Sequence, residues 1–198
     1  MPTRIRFGLM LVGAILFETT LSAGAARADP GSSLAQIFDA VCVKPRDAAG
    51  RKAAAHAQGL RTPPDSFPSP PSGDGLTLEL FVSKAVERRT VFLYTLIGPI
   101  PGSEKQSGLN CTAGLMPGDP VALADAGAVL GMPFVTDRSG SESVAFEETS
   151  GGRKFLNVDD DAAIDVAMRS GRLSVIVLKR SDPKAGIDAI FLLRTLGP

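Results

Sequence analysis

The 198-residue chain has no tryptophan, one tyrosine, one histidine and two cysteines. Each shortage narrows what the protein does. With so few large aromatics, stacking platforms for nucleic-acid bases or sugars are poorly supplied. Every histidine-dependent mechanism must pass through His56, which lies in Ala53-Ala54-Ala55-His56-Ala57 with no serine or cysteine nucleophile placed beside it by sequence. No Gly-x-Ser-x-Gly elbow occurs after residue 28. Zinc needs about three or four ligands, so one histidine and a cysteine pair would leave most of them to carboxylates. An excess of one charge is missing too: 21 basic residues balance 21 acidic ones. No basic footprint for nucleic acid follows from that balance.

What is present begins with an export address. Arg4 and Arg6 form a positive start, Phe7 to Phe17 an apolar stretch, and Ser22 to Ala28 a small-residue stretch ending Ala26-Arg27-Ala28. Eleven apolar residues closed by Glu18 are too few to cross a bilayer, which needs about 20. The segment is therefore expected to be a cleaved signal, residues 1–28, with the processed chain starting at Asp29. There is no adjacent arginine pair for a twin-arginine route and no cysteine near the new start to carry a lipid. Removing 28 residues leaves 170, enough for one domain with a real core, expected over residues 29–198. The segment takes three basic residues and one acidic residue with it, leaving 18 against 20 and a net charge of −2.

In an oxidising compartment nothing keeps thiols reduced, so the even count points to a disulfide between Cys42 and Cys111 rather than two buried free thiols. A redox enzyme would normally present Cys-x-x-Cys, which is missing.

Leu34, Ile37, Phe38 and Val41 recur at helical spacing from a start near Ser32 or Ser33. Pro45 interrupts them, and Asp47 begins a second helical segment, Ala48 to Gln58, closed by Gly59. Residues 61–75 hold five prolines and form a loop. Strands are expected from Leu76, from Arg89 to Ile97 and from Ser107 to Leu115, the last two as an antiparallel hairpin. Asp119 as cap, Pro120 and Gly131 delimit a helix from Pro120 to Leu130. A hairpin around Ser150-Gly151-Gly152, a short helix from Asp161 to Met168, and strands Leu173 to Lys179 and Ile187 to Leu196 complete the chain. The order describes an α+β domain: an N-terminal helix pair, a mainly antiparallel sheet of five to seven strands, one central capped helix and one short later helix. A doubly wound parallel sheet is the alternative.

Among the carboxylates, Asn157, Asp159 and Asp161 match the first ligand positions of a calcium loop. Ala162 then stands where glycine is needed and Met168 where the bidentate glutamate is needed. These aspartates are expected to cap the following helix. Glu147 and Glu148 are neighbours in a strand, so they point to opposite faces and cannot line one cleft. Gly127 to Gly131 lies within and at the end of a helix rather than opening one, so it is no phosphate cradle. No cofactor or metal site and no assignable catalytic residue follow from the sequence.

Ala35-Gln36-Ile37-Phe38-Asp39-Ala40-Val41-Cys42-Val43-Lys44-Pro45, followed by Cys111 on a strand and the alanine-rich stretch Pro120 to Gly131, resembles a group of small exported two-cysteine proteins of Gram-negative, alphaproteobacterial type. The resemblance implies a periplasmic or secreted domain with one disulfide and brings no catalytic residue. The expected function is a non-enzymatic binding domain with an envelope or periplasmic protein partner, through a sheet edge or the proline loop. A small cell-envelope hydrolase using carboxylates is the alternative. Neither nucleic acid nor a membrane span after signal cleavage is expected.

Overall fold

The computed structural model describes residues 33–65, 67, 73, 75–100, 106–119, 121–180 and 186–196. The expected signal and its cleavage point at Asp29 lie outside the described residues, as does part of the proline-rich stretch.

The chain enters α1 (Leu34–Phe38) through a reciprocal cap: the Gln36 N–H donates to Ser33 Oγ, and the Ser33 N–H donates to Gln36 Oε1 at 2.9 Å. The helix runs straight into a π-helical turn, Asp39–Val43, whose Val41, Cys42 and Val43 are all buried. Asp47 then caps α2 (Ala48–Ala57) by accepting from the Gly50 N–H at 2.7 Å, and Gly59, at φ 76°, ends it.

Eight strands follow: β1 (Thr77–Val86), β2 (Arg89–Pro99), β3 (Ser107–Met116), β4 (Val135–Thr136), β5 (Glu142–Thr149), β6 (Gly152–Leu156), β7 (Leu173–Lys179) and β8 (Asp188–Thr195). All join one sheet in the order β1-β2-β3-β8-β7-β5-β4, with β6 also on β5, and every pairing is antiparallel. This overturns the expected α+β layout, and the parallel alternative with it. The sheet has eight strands rather than five to seven, and the helices are four short pieces of 5 to 10 residues laid on it. The N-terminal pair is too brief to form a layer, because Pro45 cuts the periodic stretch and only the first piece is wholly apolar on one side.

The expected central helix is also shorter. It is reduced to α3 (Ala126–Leu130), because the Asp119 carboxylate accepts from the Val121 N–H in a local turn. Three-residue turns then carry the chain: Ala122 to Asp119 O, Ala124 to Val121 O, Ala126 to Leu123 O. Gly131, at φ 62°, stops it as the sequence implies. The last helix, α4 (Asp161–Arg169), begins with Asp160 accepting from the Ala163 N–H at 3.0 Å.

Strand alternation assigns the two faces. Val82, Leu93, Cys111, Ile190, Ile176 and Val144 fall on one side, where α1 and the π-helical turn pack and the main core lies. Ala145, Val175 and Leu173 point the other way, under α4, whose Ala167 completes a small second core. A disulfide joins Cys42 of the π-helical turn to Cys111 of β3, with a Cα–Cα distance of 5.7 Å. Among the described residues no helix is long and apolar enough to cross a membrane.

Candidate functional site

His56 is exposed on α2, with none of the carboxylates or hydroxyls of a catalytic set beside it among the described side-chain bonds. The aspartate cluster is spent on local structure. Asn157 Oδ1 accepts from the Asp159 N–H, Asp159 accepts from the Arg138 N–H, Asp160 caps α4, and Arg138 pairs with Asp159 and Asp161 at 3.5 and 3.7 Å. Among the described residues no three His, Cys, Asp or Glu side chains are grouped to hold a metal ion.

Glu147 and Glu148 lie on opposite faces, as their adjacency requires. Glu147 is buried against Lys154 and Arg172 under the α4 side. Glu148 pairs with Arg46 and Arg194 on the side of α1. Arg194 is itself largely buried and donates to the Val43 carbonyl and Ser174 Oγ. Burial lowers its pKa, and the Glu148 carboxylate opposes that shift. The Asp137 carboxyl is held below its usual range by hydrogen bonds from the Ser139 hydroxyl and then from the Ser141 N–H and the Ser143 hydroxyl. It organises the loop that leads into β5.

The strongest functional candidate is the part of the sheet that α4 leaves open. Phe81, Tyr94, Thr112, Phe191 and Val177 follow one another across β1, β2, β3, β8 and β7 on the face turned away from α1. Leu96, Asn110 and Leu193 form the next row. Phe81, Tyr94, Phe191, Val177 and Leu193 are all half-buried, so an apolar strip several strands wide reaches solvent. One border is built by Phe67, whose ring centroid lies 5.5 Å from that of Phe81 and 6.2 Å from that of Phe92. The other is α4, tied down where the Gln106 side chain donates to the Met168 and Arg169 carbonyls at 3.0 Å. Thr112 donates to Asn110 at 3.0 Å, so the polar atoms in the strip are locally engaged.

Gly114 sets the floor of the strip beneath Phe92. A Cβ at residue 114 would lie 2.1 Å from the Phe92 ring, which therefore must lift. Gly114→Ala is expected to cost about 1–2 kcal/mol and to unseat Phe92 from Phe67. Urea unfolding measures the loss; an unchanged midpoint would mean that Phe92 swings aside freely.

Sequence reasoning did not find this strip. Its signal was the period-two pattern of half-buried Phe92 and Tyr94 in β2, but Phe191 comes from a strand almost a hundred residues later. No protein family, no curated protein and no solved structure matches this chain.

Proposed function

We propose that this protein is an exported, non-enzymatic interaction domain that takes an envelope or periplasmic protein partner on the strip formed by Tyr94, Phe191, Val177 and Leu193. The observation that carries the reading is a solvent-reaching apolar face on a domain in which Glu79, Glu147 and Glu148 are each paired with arginine or lysine. A buried disulfide fits an oxidising compartment and supports export. The shape and chemistry of the strip suit a partner's apolar segment better than a small polar substrate.

Site-specific photo-crosslinking in the exporting cell tests this. A photoreactive phenylalanine analogue at Phe191 is expected to give a discrete protein adduct, and the same group at exposed Lys52 on α2 is expected to give none. Adduct formation should also fall with Tyr94→Ser on the same face. Equal labelling at both positions, or none at residues 94, 177 and 191, would remove the proposal.

A further inference from the structure

On the α1 face of the sheet, guanidinium groups converge around Glu148. Arg194 of β8 is only 8% exposed, yet its bonds are long: Nε donates to Ser174 Oγ at 3.4 Å, and Nη2 donates to the Val43 carbonyl at 3.3 Å and to Glu148 at 3.5 Å. Ordinary N–H···O bonds fall at about 2.7–3.2 Å, so this buried cation is thinly satisfied. Glu148 is the one carboxylate paired with it among the described residues, and Arg46 takes that same carboxylate. Arg153 faces Glu148 across the β5–β6 ladder but makes no ion pair among the described residues. Its guanidinium lies over the Phe146 ring instead, 5.3 Å from the centroid.

Three guanidiniums thus surround one carboxylate, an excess of two positive charges. Other acids on this side are spoken for: Asp39 pairs with Lys44 at 2.6 Å, and Glu79 with Arg51 at 2.7 Å. Burial lowers the Arg194 pKa, Glu148 opposes that shift, and Arg46, Arg51 and Arg153 add to it, so the like charges are felt within one field. Position then divides their roles. Arg194 is held from behind by Val43 and Ser174, whereas Arg46, after the π-helical turn, and Arg153, on β6, are exposed. Planar guanidiniums match the paired oxygens of phosphate and carboxylate groups, and an excess of two charges favours a dianion.

We propose that Arg46 and Arg153 bind a doubly charged oxyanion of the phosphate class, with Arg194 behind them as a buried charge that Glu148 only partly cancels. The anion completes the set that one carboxylate leaves unbalanced. This site lies on the opposite face of the sheet from the strip of Tyr94 and Phe191, and it does not depend on what that strip binds.

Inorganic phosphate, glycerol phosphate and acetate are titrated by calorimetry and by thermal melts, each against chloride at equal ionic strength. Phosphate at about ten times its Kd is expected to raise Tm by about 3 °C or more, and acetate should bind at least about tenfold more weakly. Arg46→Gln and Arg153→Gln, at exposed positions, should each weaken phosphate binding about tenfold. Glu148→Gln should tighten it by a similar factor, because the competing negative charge is gone. Lys179→Gln, an exposed cation at the far end of β7, should leave it unchanged. Binding of both phosphates supports a site open to monoesters such as a lipid headgroup, and binding of inorganic phosphate alone supports a site for the free ion. A Tm rise that chloride reproduces, equal affinity for acetate, or an affinity unmoved by Arg153→Gln overturns the proposal. Weaker binding in Glu148→Gln overturns it as well, since the arginines would then serve only to hold that carboxylate.

Discussion

Replacing Cys42 and Cys111 together by alanine is expected to lower the unfolding free energy by about 4 kcal/mol. The bond closes a loop across a sequence separation of 69 residues, and a loop of that length restricts the unfolded chain by roughly 4 kcal/mol in the chain-entropy model. Both cysteines are fully buried within the main core, so the alanines also lose packing there. At about 2–4 °C per kcal/mol for a domain of this size, Tm should fall by roughly 8–16 °C. Scanning calorimetry of the oxidised parent and the double variant reads this directly. A fall of less than about 3 °C would show that α1 and the π-helical turn hold to β3 by packing alone.

A second large effect is expected from Glu79→Ala, at about 3 kcal/mol. Arg51 of α2 is 4% exposed and pairs bidentately with Glu79, with Nε–Oε2 at 2.9 Å and Nη2–Oε1 at 2.7 Å. Thr95 of β2 donates to the same carboxylate at 3.1 Å. The register slips between Leu78 and Leu80, and that irregularity brings Glu79 to the α2 side of β1. Deleting the carboxylate strands a guanidinium in the interior, which costs about 3–5 kcal/mol when a buried pair is broken; the residual exposure of Glu79 places this case at the lower end. The double variant Arg51→Met, Glu79→Leu should recover to within about 1 kcal/mol of the parent, because the pair's desolvation nearly cancels its attraction. Urea unfolding of the single and double variants closes the cycle. A single-variant loss below about 1 kcal/mol would mean that water already relaxes the pair.

Local chemistry was the legible part of this sequence. Asp47 and Gly59 bound α2 where their side-chain oxygen and positive φ require, Gly151 and Gly152 turn the β5–β6 hairpin, and Asp160 starts α4. The cysteine pair followed from compartment and count. What escaped notice depends on residues far apart in sequence. Arg51 and Glu79 are 28 residues apart and each looks like a surface charge. Asp119 looked like a helix cap because its own turn mimics the first step of one. The sheet's extent also escaped, since β4 is only two residues long and pairs solely because β5 is already in place. The candidate strip assembles from five strands, three from residues 77–116 and two from residues 173–195, so no short window of sequence contains it.

The position of β8 has a consequence for the order of events in the cell. The last strand in chain order lies between β3 and β7, so the β1–β3 meander and the β4–β7 half have no strand-to-strand contact until it is inserted. Each half emerges from the ribosome with an unfilled edge, and ordering it early brings little reward. The two halves therefore stay unjoined for as long as synthesis lasts, and the sheet closes only when residues 188–195 arrive.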